Sequence, residues 1–184
     1  ICKFVANKMV EFCSFVPTKE QHELITLLAK FVHSRTSNEA FLLKGYAGTG
    51  KTSIVSALVK TLSFFEQKVV LLAPTGRAAK VLSSYAGQPA FTIHKHIYRQ
   101  KSVGGDGFGQ FTLAPNKDKE ALFIVDEVSL IGIDALQQQS TTAFGSGNLL
   151  EDLISFVRAG VDCKVIMIGD SAQLPPVGLD ASPA

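Results

Sequence analysis

"FLLKGYAGTGKTS", residues 41 to 53, decides how this chain is read. A short apolar run from Phe41 to Leu43 reads as a strand, and it leads into Gly45-x-x-x-x-Gly50-Lys51-Thr52. A helical pattern with Ile54, Leu58, Leu62 and Phe65 follows at once. Gly45, Gly48 and Gly50 permit a tight loop whose backbone N–H groups point inward at phosphate oxygens, and the helix adds its positive N-terminal end. Lys51 is expected to reach the β and γ phosphates, the Thr52 hydroxyl to ligate Mg²⁺, and Ser53 to belong to the same nucleotide-binding turn. The bland rival is a glycine-rich turn that happens to precede Lys-Thr.

Working outward, short apolar runs recur at Val69 to Ala73, Ala121 to Val125 and Val165 to Ile168, each followed by Gly, Pro or Asp. Such runs suit parallel strands buried on both faces. Helical patterns lie between and around them. Residues Lys19 to His33 carry Leu24, Leu27, Leu28, Phe31 and Val32, with Thr18 and Gln21 forming a capping box. Ala78, Val81, Leu82 and Tyr85 form a second pattern; Leu150, Leu153, Ile154 and Val157, stopped by Gly160, form a third. Strand and helix in alternation predict a three-layer α/β fold in one domain, residues 1 to 184. The stretch 100–120 breaks the alternation: Gly104, Gly105, Asp106 and Gly107 separate two short segments, which predicts an inserted β-hairpin or a loop.

"ALFIVDEVSL" places Asp126 and Glu127 at a strand tip, where one carboxylate can hold Mg²⁺ through water and the other can orient or deprotonate an attacking water. Acids also end strands for plain solvation. Beside a phosphate loop, the pair favours nucleoside triphosphate hydrolysis over transfer to a small molecule.

Composition bounds the partners. No apolar run approaches the roughly 18 to 20 residues of a membrane span, and Cys2, Cys13 and Cys163 show no CxxC spacing, so free thiols, no membrane partner and a cytoplasmic setting are expected. Net charge is only +2, yet no acidic residue occurs between Glu66 and Asp106, a stretch holding Lys68, Arg77, Lys80, Lys95, Arg99 and Lys101. This block suits a polyanion or a solvated face. His94 and His96 lack the further ligands a zinc site needs.

"GYAGTGKT", "APTGRAAKVL", "TIHKHIY", "VDEVSLI" and "GDSAQLPPV" occur in that order, and together they resemble the motifs of superfamily 1 DNA helicases, in the RecD-like and Dda-like branch. The resemblance runs from about Pro17 to Val177. It implies a P-loop NTPase of the RecA-like type, a parallel sheet with helices on both faces, using ATP and Mg²⁺ to move on single-stranded DNA from 5′ to 3′. It also implies that Gln21 recognises adenine and that Pro74, Thr75, Arg77, Thr92 and His94 lie in the segments gripping the DNA backbone. Gln173 then links hydrolysis to DNA grip, from a strand expected between the phosphate-loop strand and the Asp126–Glu127 strand. The segment 100–120 takes the place of the family's strand-separating pin.

Single residues have rival readings. Gln21 also serves the capping box, Thr75 and Thr92 are good helix N-caps, and Gln173 can merely cap a strand end. The family's motors carry a second RecA-like domain with arginines that complete the ATP site, and its absence from these residues leads us to expect the N-terminal half of a longer helicase, as does a chain opening on Ile1. The alternatives are a nucleotide-dependent DNA-binding module and another P-loop enzyme such as a small-molecule kinase.

Overall fold

The apolar runs do become strands. In the computed structural model, which describes residues 2–36, 39–46, 48–100, 111–131 and 144–170, the chain opens with α1 (Cys2–Phe12) and α2 (Lys19–His33), then β1 (Ala40–Gly45), α3 (Lys51–Phe64), β2 (Val69–Ala73) and α4 (Gly76–Ala86). Next come β3 (Ala90–Thr92), α5 (Ile93–Ile97), β4 (Tyr98–Gln100), β5 (Phe111–Leu113), β6 (Leu122–Val125), a 3₁₀ turn (Val128–Leu130), α6 (Leu149–Ala159) and β7 (Lys164–Asp170). Five strands pair in parallel in the order β1-β7-β6-β2-β3.

Side-chain alternation along these strands creates two cores. Leu71, Leu122, Ile124, Ile166 and Ile168 face α1 to α4, where Met9, Leu28, Leu58 and Leu82 are buried. Val70, Leu72, Phe123, Val125 and Val165 face the other way, onto Ile93, Ile97, Leu153 and Phe156. Both faces being covered explains why β2 and β6 read as unbroken apolar runs. β1 departs from that expectation: it ends the strand order, and Leu42 is 46% exposed.

Two helical stripes are also placed differently. α2 buries Ile25, Leu28, Ala29 and Phe31, while Leu27 stays exposed. α4 buries Ala79, Leu82 and Ala86 and leaves Val81 exposed, so its inward stripe lies one residue along from the predicted one. Caps fix the helix starts: Thr18 and Gln21 form the reciprocal capping box, and Asn148 accepts from the Glu151 N–H at 3.2 Å. The far end of α2 is closed by an unusual device, the buried Lys164 at the start of β7. Its Nζ donates to the carbonyls of Phe31 (2.8 Å) and Ser34 (2.5 Å), so a cation satisfies terminal carbonyls at the negative end of the helix.

The stretch that breaks the alternation begins at the last residue of β4 and contains β5, the two strands pairing antiparallel from Tyr98↔Leu113 to Gln100↔Phe111; residues 101–110 lie outside the described residues. This pair is rooted on the second core. Phe111 stacks on Phe144 with centroids 4.6 Å apart, and the Tyr98 hydroxyl donates to the buried Asp152 carboxylate at 2.6 Å. The Ser146 N–H donates to the same carboxylate oxygen at 3.0 Å.

Candidate functional site at the C-terminal edge of the sheet

In a parallel sheet every strand delivers its C-terminal end to the same edge, and here that edge collects the polar residues. β1 and β7 end in register, Gly45 opposite Asp170, with β6 alongside β7. The strand order places β7 between the phosphate-loop strand and the Asp126–Glu127 strand. Gln173 lies outside the described residues.

The loop after β1 depends on glycine where the backbone turns left-handed: Gly48 has φ 78° and Gly50 φ 83°. Gly50 is the N-cap of α3 and offers no side-chain cap, so the N–H groups of the first turn stay available to a ligand. Lys51 folds back across the loop, its Nζ donating to the carbonyls of Gly45 (2.5 Å) and Tyr46 (2.7 Å). Thr49 Oγ1 donates to the Tyr46 carbonyl at 2.8 Å.

Gln21 does more than cap. Its Oε1 accepts from the Thr18 N–H at 2.9 Å, while its Nε2 donates to the Thr49 carbonyl at 3.2 Å, tying α2 to the loop. It borders a cavity of about 650 Å³ lined also by Phe15, Leu24, Tyr46 and Lys51. A second cavity of about 510 Å³ is lined by Thr52, Val81, Tyr85, Asp126, Glu127 and Asp170. Gly48, Gly50, Lys51 and Ser53 line both.

Asp126 and Glu127 follow directly on β6. The Asp126 N–H donates to the Leu72 carbonyl at 3.0 Å, locking the tip to β2. The Asp126 carboxylate is held at both oxygens: Oδ1 accepts from the Glu127 N–H at 2.9 Å and Oδ2 from the Tyr85 hydroxyl at 2.5 Å. Glu127 has φ 57°, a left-handed conformation that turns the chain into the 3₁₀ turn. Burial, and then the charge of Asp126, push the Tyr85 phenol far above its ordinary range, so the hydroxyl stays a donor. Sequence reasoning missed this role of Tyr85; a phenol on a helical stripe was the available signal.

The other predicted residues gather at the neighbouring strand ends. Ala73 and Thr92 are in register on β2 and β3. Thr75 caps α4 by accepting from the Ala78 N–H (3.1 Å), and Thr92 caps α5 by accepting from the Lys95 N–H (3.3 Å). Pro74 is buried and Arg77 exposed. His94 is partly buried, its ring 5.1 Å from that of Phe144 and 5.7 Å from that of Tyr98. The basic block is not one surface. Lys68 sits at the opposite end of the sheet, just before β2, paired with Asp118 at 2.5 Å. Lys101 lies outside the described residues. Cys2, Cys13 and Cys163 are free. Among the described residues no set of three or more His, Cys, Asp or Glu could hold a metal, and no helix is long and apolar enough to cross a membrane.

Several known proteins are similar to this chain in sequence. The ATP-dependent RecD2 DNA helicase of Deinococcus radiodurans is 32% identical over 162 residues, covering 88% of this chain and 20% of that protein. The ATP-dependent DNA helicase dda of Enterobacteria phage T4 is 29% identical over 148 residues, covering 73% of this chain and 28% of that one. The chain therefore spans between a fifth and a third of these relatives. The crystal structure of Pif1 helicase from Candida albicans superposes with a TM-score of 0.49 at 19% identity, over 89% of this chain and 34% of that one. The AAA domain family model matches residues 18–182, a span that starts at the capping threonine of α2 and takes in every element building this edge. The chain thus belongs to the AAA domain family, within which it is a RecA-like domain of the RecD and Dda type found in superfamily 1 helicases.

Proposed function

We propose that this chain is the ATP-binding motor domain of an ATP-dependent DNA helicase, which couples ATP hydrolysis to movement along single-stranded DNA from 5′ to 3′. What carries the reading is one juxtaposition. The phosphate loop and the Asp126–Glu127 tip open onto one cavity, and the Thr75 and Thr92 caps stand at the adjacent strand ends of the same sheet edge.

The residues fit Mg·ATP. Two left-handed glycines and an uncapped helix start leave inward N–H donors for phosphate oxygens, and Thr52 with Asp126 offers hard oxygen ligands of the kind Mg²⁺ takes. Mg²⁺ held by these residues would supply positive charge against the β and γ phosphates. Lys51 gives up its two loop carbonyls to contact those phosphates, with Ser53 in the same turn. Glu127 orients the attacking water and accepts its proton. Gln21 exchanges its bond to Thr49 for the adenine edge, and Gln173 senses the γ phosphate. Thr75, Arg77, Thr92 and His94 hold the DNA backbone, with the buried Pro74 shaping the turn into the Thr75 cap; capped helix starts and cations bind phosphate without reading sequence.

Arginines of a second RecA-like domain complete the site in the longer parent. Relatives three to five times the length of this span leave room for one. An absent arginine finger costs about 10³ to 10⁵ in rate, so this chain alone binds nucleotide but hydrolyses it slowly. The test is turnover of the longer protein with and without oligothymidylate: strong stimulation is expected, lost in Lys51→Ala. Turnover indifferent to single-stranded DNA would contradict the motor reading.

A further inference from the structure

We propose that Tyr85 is a positioning residue for Asp126, fixing the carboxylate in the orientation that receives Mg²⁺. The inference rests on the reading of Asp126 as a metal ligand and adds a residue which that reading does not use.

Asp126 stands at a strand tip facing a cavity of about 510 Å³, where a free carboxylate turns about χ1 and χ2. Two donors stop it. The Glu127 N–H belongs to the same turn of chain and cannot set the rotamer alone; the Tyr85 hydroxyl comes from another element, α4, and holds the second oxygen at 2.5 Å. Each carboxylate oxygen accepts two hydrogen bonds, so a place remains on both for metal-bound water. Tyr85 itself cannot wander. The apolar side of its helix is fixed by Leu82 and Ala86 in the first core, and Val81, one turn earlier, lines the same cavity wall. A phenylalanine would fill the wall equally well, so the hydroxyl has a task that packing does not explain. The opposite end of α4 is the Thr75 cap. With 11 residues the helix is about 16 Å long, so one rigid element spans the DNA-side strand ends and the carboxylate.

Calorimetry with a non-hydrolysable ATP analogue, at Mg²⁺ concentrations from zero upward, separates the roles. Tyr85→Phe should match the unmodified chain without Mg²⁺ and need about tenfold more Mg²⁺ to reach half of the metal-dependent gain, the lower end of the effect of outer partners on metal affinity. An unshifted Mg²⁺ dependence in Tyr85→Phe overturns the proposal. So does weakening by an equal factor with and without Mg²⁺, which would mark a merely structural role. Asp126→Asn provides the separate control. If it keeps the normal Mg²⁺ dependence, the metal reading of Asp126 fails and the proposal with it; if it loses that dependence while Tyr85→Phe does not, only the role of Tyr85 fails.

Discussion

Gly48→Ala and Gly50→Ala should differ, although both glycines are left-handed and three residues of one loop contain both. An alanine forced to φ 78° or 83° costs about 1 to 2 kcal/mol at either position. At Gly48 nothing among the described residues lies within 4 Å of an added Cβ, so backbone strain is the effect to expect. At Gly50 the Cβ falls 2.7 Å from Gln21 Nε2, closer than a carbon and a nitrogen tolerate. Gln21 must swing away, and its 3.2 Å bond to the Thr49 carbonyl breaks. A hydrogen bond of that kind contributes about 0.5 to 1.5 kcal/mol. Gly50→Ala should therefore be the more destabilising by about 1 kcal/mol, a midpoint lower by about 2 to 4 °C for a chain of this size. Urea and thermal unfolding without nucleotide measure the difference. Repeating both substitutions in a Gln21→Ala background closes a double-mutant cycle, in which the gap between them should fall below about 0.3 kcal/mol. A gap that persists without Gln21 would show that the brace between α2 and the loop is not its cause.

Lys51→Ala should lower Mg·ATP affinity by about one to two decades, the value of a charge-assisted contact of roughly 1.5 to 3 kcal/mol; calorimetry showing unchanged affinity would refute it. Glu127→Gln in the longer protein should bind ATP and DNA yet turn over far more slowly, which single-turnover kinetics would show; a normal rate removes Glu127 from the chemistry. Single-stranded DNA should shift NMR amides around Thr75 to Lys80 and Thr92 to Arg99 with a steep salt dependence, and silence there at low salt would contradict the DNA reading. His96 packs against Phe91, Phe123 and Phe156, and burial pushes its imidazole below the ordinary 6.5. As pH falls below 6.5 the unfolded chain takes this proton first, so stability declines through the lowered folded pKa and is unaffected by this group above 6.5. His96→Phe should flatten that part of the urea-midpoint profile; an unchanged slope would exclude His96 as its source.

The sequence made legible whatever is local. The loop from Gly45 to Thr52 and the tip at Asp126 announce themselves because a short apolar run, a turn and a polar residue are adjacent in the chain. The capping box of Thr18 and Gln21 is local in the same sense. β3 and α5 were not legible: three residues and five residues are too short to show a period, and both are stabilised by β2 and α6 rather than by their own pattern. α1 buries Val5 and Met9, a single i,i+4 pair too sparse to show a period. The exposed Leu27 and Val81 show a further limit, since apolar character names a candidate stripe but the neighbours decide which residues it buries. Contacts across the chain were the least legible. Tyr85 meets Asp126 from 41 residues away, and Lys164 closes α2 from 130 residues beyond Ser34.

The tyrosine–carboxylate pairs also give the molecule built-in optics. The chain has three tyrosines and no tryptophan, so emission excited in the tyrosine band, beyond the absorption of phenylalanine, belongs to Tyr46, Tyr85 and Tyr98. Tyr85 and Tyr98 each donate to a carboxylate, at 2.5 and 2.6 Å, an arrangement that quenches an excited phenol by drawing off its proton, whereas Tyr46 is exposed in the phosphate loop. One exposed and two carboxylate-bonded phenols thus stand at the nucleotide loop, the Asp126 carboxylate and the root of the β4–β5 pair. Light from the unlabelled protein can register events at all three places.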